Sequence, residues 1–203
     1  MHSDNIEWAD EMDAWKNDKN NKKKSKAGDD RSPAHRWIGS LYHDGKVIVI
    51  PTENIMRALM EGGAMVPVPG SKYGKTFKAQ TQSGIMPTEL GWPLLVNGET
   101  IPVGPIMALA KEADFHVHQE TVNSLGFSLF LKRARIGQSK HVRVRPRFEQ
   151  WQAIGKLVVS DDQITETALA DILESAGRYR GIGDWRPGSK TPGTFGIFSA
   201  RLL

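Results

Sequence analysis

From Trp37 onward the apolar and polar positions fall into short, regular periods. Ile38 to Tyr42 and Lys46 to Ile50 are β-prone runs separated by His43-Asp44-Gly45, and Asp-Gly is turn chemistry, so the pattern predicts a hairpin. Pro51-Thr52-Glu53-Asn54 then offers Thr52 as N-cap to a helix carrying Ile55, Met56, Leu59 and Met60, with Gly62-Gly63 as its stop. The order returns late in the chain: a strand over Ile154 to Val159, a Thr165 cap, Leu169, Ile172, Leu173 and Ala176 at helical spacing, and Gly177 as stop. Between them Phe127, Leu129 and Leu131 alternate with Ser128, Phe130 and Lys132. After Gly137-Gln138-Ser139 a second run sets Val142 and Val144 on one face and Arg143 and Arg145 on the other. These two runs predict a hairpin with a basic tip. Thr194 to Leu203 alternates again and predicts a closing strand.

The stretch from Ala64 to Gly104 is rich in Pro and Gly and predicts short strands, Met65 to Val68 and Pro93 to Val96, joined by long loops. Gly104-Pro105 starts a short helix reaching toward Ala113, with Pro at its first position. Residues 1–33 form a polar arm with Lys19, Lys22, Lys23, Lys24 and Lys26, in which Trp8, Met12 and Trp15 share the spacing of one helical face. The expected organisation is this arm followed by a single domain over 34–203, with a loop-rich insertion at about 64–125. Two main helices among about six strands give an α+β class, most simply a ferredoxin-like or RRM-like antiparallel sheet with both helices on one face.

Composition narrows the function. The 203 residues are 39% hydrophobic and 25% charged, enough for a real core and against wholesale disorder. There is no cysteine, which excludes a disulfide framework, thiolate metal sites and cysteine nucleophiles. No apolar run approaches the roughly 20 residues that span a bilayer, so the expectation is a soluble, cytoplasmic protein without a membrane partner. The net charge of +4 conceals a local excess. Lys132, Arg133, Arg135, Lys140, Arg143, Arg145 and Arg147 lie in one acid-free segment that carries +7, leaving the rest of the chain acidic. A basic patch on a mildly acidic body points to a polyanion.

Catalytic signatures are thin. Gly70-Ser71-Lys72-Tyr73-Gly74-Lys75-Thr76 ends like a phosphate-binding loop but has three residues between its glycines where four are needed. Gly181-Ile182-Gly183 leads into Asp-Trp-Arg-Pro and not into a helix that could receive a pyrophosphate. Asp114, His116, His118 and Glu120 alternate, and on a strand all four would share a face on which two His can bind one metal. That makes a metal-dependent nuclease or phosphoesterase the enzymatic alternative. The stronger pattern interleaves basic and aromatic residues: Arg143, Arg145, Arg147, Phe148 and Trp151, then Arg178, Tyr179, Arg180, Trp185 and Arg186. Guanidinium forks match phosphates and flat side chains stack on unpaired bases, a mixture suited to single-stranded nucleic acid.

Three segments together carry a resemblance. Asp44 to Leu59 (DGKVIVIPTENIMRAL) resembles the strand, Ile-Pro, small polar residue and helix of the RAMP superfamily, the RRM-like proteins that include backbone subunits of CRISPR surveillance complexes. Gly181-Ile182-Gly183-Asp184-Trp185-Arg186 with Gly193-Thr194-Phe195-Gly196-Ile197-Phe198 resembles its carboxy-terminal glycine-rich loop and last strand. Val142 to Trp151 is similar to a segment found with both in bacteriophage proteins of this size. The family's opening strand has no room before the first arm residues, so either Trp37 to Ile50 supplies it or the chain starts late. The resemblance implies sequence-independent binding of a single strand, commonly RNA, by copies lined up side by side, inside a bacterial host if the chain is phage-encoded. It implies that Gly181, Gly183 and Gly196 form a strand-contacting loop and that Arg57, Arg143 and Arg145 contact phosphates. Arg133, Arg135, Lys140, Arg147, Trp185 and Arg186 complete the expected nucleic-acid-binding set. Asp184 lies outside any recognisable cleavage loop, so neither catalytic residue, metal nor cofactor is carried over; a structural or host-interaction role for the same fold is the third class.

Overall fold

Asp44 makes the first turn as its chemistry requires. Its carboxylate accepts the N–H groups of Lys46 and Val47, both at 2.8 Å, and His43 and Ile48 bridge across it. The bond from Val47, then that from Lys46, holds the Asp44 carboxyl below its ordinary range. The computed structural model describes residues 37–136 and 139–203, backbone only for 133–136 and 139–143, with Asp10, Ala14 and residues 17–19 from the amino-terminal segment. The expected helix face of Trp8, Met12 and Trp15 lies outside these described residues, as do Lys22, Lys23, Lys24 and Lys26.

The described chain is α+β with antiparallel strand pairing throughout. It forms two compact units, Met1–Val49 with Pro93–Ala153, and Ile50–Trp92 with Ile154–Leu203. Among the described residues no helix is long and apolar enough to cross a membrane.

In the first unit the run expected as a strand from Ile38 is instead a 3-10 turn, Ile38–Ser40. The Ser40 hydroxyl donates to the Trp37 carbonyl at 2.6 Å, and Ile38 and Leu41, three residues apart, are both buried. Strands β1 (Val49–Pro51) and β3 (Gly91–Val96) pass from one unit to the other, and in this unit the Leu94 N–H donates to the Ile48 carbonyl at 3.0 Å. β3 pairs with β4 (Glu99–Thr100) through Asn97-Gly98, whose φ values of 54° and 83° are those of a two-residue hairpin turn. β7 (Gln152–Ala153) also pairs with β3. Two helices follow β4: α3 (Gly104–Ala108), with Pro105 in its first turn, and α4 (Phe115–Ser124). The long hairpin β5 (Ser128–Ile136) and β6 (Ser139–Arg147) forms as the alternation predicts. Trp37, Ile48, Ile101, Ile106, Val122, Phe127 and Val144 make the core.

In the second unit α1 (Thr52–Gly63) buries Ile55 and Leu59 of the expected apolar positions together with Ala58, Gly62 and Gly63, while Met56 and Met60 are half-buried. Two details differ from the sequence reading. Pro51 is the N-cap, while Thr52 begins the helix and turns its hydroxyl to the Glu89 carbonyl. The helix ends on Gly63, where the stop was expected, but neither glycine has a positive φ; a Cβ on Gly62 would come 2.5 Å from the Ile172 carbonyl oxygen, so close helix packing requires that glycine. Then come α2 (Lys78–Ser83) and β2 (Ile85–Pro87), which pairs antiparallel with β8 (Leu157–Val159). α5 (Glu166–Ser175) is capped by Thr165, whose hydroxyl accepts the Ala168 N–H at 3.2 Å, as expected. It runs past Gly177 in a π-helical turn, Ala176–Arg180, and ends at Gly181. No strand forms over 194–203. The segment folds back by single bonds, Ile182 N–H to the Gly196 carbonyl, Phe195 N–H to the Trp185 carbonyl and Phe198 N–H to the Gly177 carbonyl, and positive φ at Gly183, Trp185 and Gly196 interrupts an extended ladder.

Candidate nucleic-acid interface

The register of the β5–β6 hairpin sorts its basic residues. Ser128 pairs with Arg147, Phe130 with Arg145 and Lys132 with Arg143, so these six positions share one face. Leu129 with Pro146 and Leu131 with Val144 occupy the other. Val144 is wholly buried and Leu129 nearly so, which fixes that second face against the core of the first unit. The face of Phe130, Arg145 and Arg147 therefore turns outward, and a slip of one residue would exchange the two. The base of the hairpin is anchored by rings: Phe127 packs on Trp37 at 6.1 Å and on Phe148 at 4.9 Å between centroids. Phe148 is half-buried and packs on this anchor.

Arg147 reaches over the Phe130 ring, its guanidinium carbon 6.0 Å from the centroid, and also pairs with Glu149 at 3.1 Å. One Arg145 nitrogen donates to the Val144 carbonyl at 3.0 Å. The face thus presents one aromatic ring, opposite Arg145 in the register and with the Arg147 guanidinium over it. Beyond it the register alternates Arg133 and Arg135 with Ala134, opposite Val142, Lys140 and His141. The side chains of Arg133, Arg135, Lys140 and Arg143 lie outside the described residues.

In the second unit the remaining expected contacts divide. Arg57 is exposed on α1 and pairs with Glu61 one turn later at 2.8 Å. Arg186 is only 8% exposed; its guanidinium clamps the Glu61 carboxylate at 2.6 and 2.9 Å and donates to the Arg180 carbonyl at 3.1 Å. The bond from Arg186 is the main cause that holds the Glu61 carboxyl below its ordinary range, outweighing partial burial, with Arg57 adding to it. Three of the five Arg186 N–H donors are committed to pinning the glycine loop on α1. Gly196 is likewise occupied by the fold, since a Cβ there would collide with the Ile182 carbonyl, and one on Gly181 would come 2.9 Å from the Gly196 carbonyl. Gly183, at φ 84°, faces open space. Trp185 is half-buried at φ 53° and meets the Phe195 ring edge-on at 5.0 Å between centroids.

The expected metal strand is corrected. Asp114 is the N-cap of α4, its carboxylate accepting the His116 N–H at 2.8 Å, and Phe115–Ser124 is helical. On a helix, residues two apart point about 200° away from each other, so the alternation that would gather Asp114, His116, His118 and Glu120 on a strand disperses them. His118 is wholly buried and saturated: its Nδ1 accepts the Trp37 indole N–H at 3.0 Å, and its Nε2 donates to the Glu112 carbonyl at 3.0 Å. Among the described residues no group of three His, Asp or Glu is arranged for a metal ion.

Family models, curated proteins and solved structures were compared with the chain, and none of them matches.

Two functional relationships were not read from the sequence. The Asn97-Gly98 turn carried a plain signal, the strongest dipeptide for a tight hairpin. The Glu61–Arg186 clamp had only half of one, the Arg57–Glu61 spacing of four on a helix.

Proposed function

We propose that this chain is a non-enzymatic nucleic-acid-binding protein that lays a single strand of RNA or DNA along the outward face of the β5–β6 hairpin. The observation that carries this reading is the register, which turns Phe130, Arg145 and Arg147 away from the core together with the positions of Lys132 and Arg143. Two guanidinium groups spaced along a strand meet successive phosphates, and the Phe130 ring on the neighbouring strand offers a stacking surface that any base can use. An acid-free segment keeps the local potential positive and makes the binding sequence-tolerant and salt-dependent. In the second unit, taken by itself, Arg57 and Gly183 are exposed, while Arg186, Gly181 and Gly196 support the loop. The resemblance to RAMP-like phage proteins, an RRM-like ancestry and self-association along the ligand in a bacterial cytoplasm belong to the same reading, supported by the repeated order of strand followed by helix in β1–α1 and β8–α5.

Fluorescence anisotropy with labelled single-stranded RNA, single-stranded DNA and duplex DNA tests it. Preference for single strands that weakens with salt is expected; absence of binding at low salt would contradict it.

A further inference from the structure

β8 has an open edge with an unusual pattern. The β2–β8 ladder bonds through Gly84 with Ser160 and Thr88 with Lys156, and by alternation through Met86 with Val158. The intervening residues, Leu157 and Val159, therefore turn their N–H and C=O groups out of the ladder on the far edge of β8. Among the described residues β8 pairs with β2 alone. Ile85 is buried, whereas Met86 and Val158, paired on the opposite face, are 63% and 53% exposed, and Val159 is 37% exposed. Edge strands are normally blunted by a charge, a proline or a bulge. Leu157-Val158-Val159 contains neither charge nor proline.

What flanks this edge identifies its partner. Lys156 precedes the strand and Asp161-Asp162 follow it, so the segment is basic at one end and acidic at the other. Laid antiparallel on itself, it brings each lysine to the acidic end of the other copy. Centred on Val158, this pairing sets Leu157 opposite Val159 of the second copy. Both residues then exchange both backbone bonds, so that all four outward N–H and C=O pairs are used. Val158 meets its own equivalent, and Met86, Val158 and their counterparts form one continuous apolar row across a four-stranded sheet. A strand of uniform charge would repel itself in this arrangement; this one is self-complementary.

We propose that β8 is a homodimerisation edge, pairing antiparallel with β8 of a second copy about a two-fold axis at Val158. The contact is isologous and closed, and it needs no nucleic acid. Its independence from the hairpin separates its failure from failure of the proposed function.

Sedimentation velocity over a concentration series, on the full chain freed of nucleic acid by nuclease and high salt, reads the association directly. The parent chain is expected to dimerise. Lys156→Glu places like charges at both ends of the pairing and is expected to weaken the dimer by roughly tenfold or more, while Asp162→Lys cancels the acidic end's net charge and is expected to weaken it less. An equimolar mixture of the two variants keeps one parental end and relieves the repulsion at the other, and is expected to bind more tightly than Lys156→Glu alone. Val158→Lys, at an exposed position, sets two lysines face to face and abolishes it, with the melting temperature confirming that each variant folds. A parent chain that stays monomeric, a dimer indifferent to the three single substitutions, or single variants that weaken it without mutual rescue would each overturn the proposal.

Discussion

Arg186 and Glu61, 125 residues apart in sequence, are joined by two hydrogen bonds of 2.6 and 2.9 Å. One planar fork meets one carboxylate, which ties the glycine-rich loop to α1 and fixes the direction in which the chain leaves α5. Glu61→Gln keeps the volume but leaves the largely buried guanidinium without its counter-charge, and is expected to cost about 2 kcal/mol by urea unfolding. Because the folded carboxyl sits below its ordinary range, this contribution is present above the unfolded carboxylate pKa and is lost as pH falls through the folded value. Stability measured from neutral to acid pH should therefore fall less steeply in Glu61→Gln than in the parent.

His118 is held in one neutral tautomer by Trp37 on one nitrogen and the Glu112 carbonyl on the other. His118→Leu orphans both partners in the core of the first unit and is expected to cost at least about 2 kcal/mol. His116, outside that network on the same helix, is expected to tolerate alanine with little change in stability. Zinc or manganese should leave the melting temperature of the parent unmoved, since α4 does not gather Asp114, His116, His118 and Glu120; a metal-dependent rise lost in His118→Leu but not in a second core variant such as Val122→Ala would restore the metal site.

The glycines of the loop separate by role. Gly196→Ala forces a Cβ into the Ile182 carbonyl at positive φ and should destabilise well beyond the 1–2 kcal/mol that a left-handed backbone alone costs. Gly183→Ala meets open space and should cost about that backbone term only. Equal losses in thermal unfolding would show that the loop is not packed as described.

What could be read in the sequence was local. The β5–β6 hairpin, the Asp44-Gly45 turn and the Thr165 cap each depend on residues within a few positions, and they form as expected. The misread segments were those where two periods competed. Asp114 to Glu120 alternates in polarity, yet His118 and Val122, four apart, are the residues α4 buries, and the helical period prevails once Asp114 caps it. Thr194 to Leu203 alternates too, but the chain is pinned to itself through Gly177, Ile182 and Trp185 and has no neighbouring strand. The pairings least visible in the sequence bring distant segments together: Ile85 with Val159, and Glu61 with Arg186. Of the expected ligand contacts, Arg145 and Arg147 could be placed because alternation alone assigns a face, whereas Arg186 could not, because its partner lies on another element.

If the outward face of the hairpin holds the ligand, the salt dependence of binding by Arg145→Ala and Phe130→Ala will show it. Removing one phosphate contact at Arg145 should lower the slope of log affinity against log salt by about 0.7 for a single strand. Phe130→Ala should weaken binding by about 1–3 kcal/mol while leaving that slope unchanged. Both variants binding single-stranded RNA and DNA with the parent's affinity and slope would contradict the account.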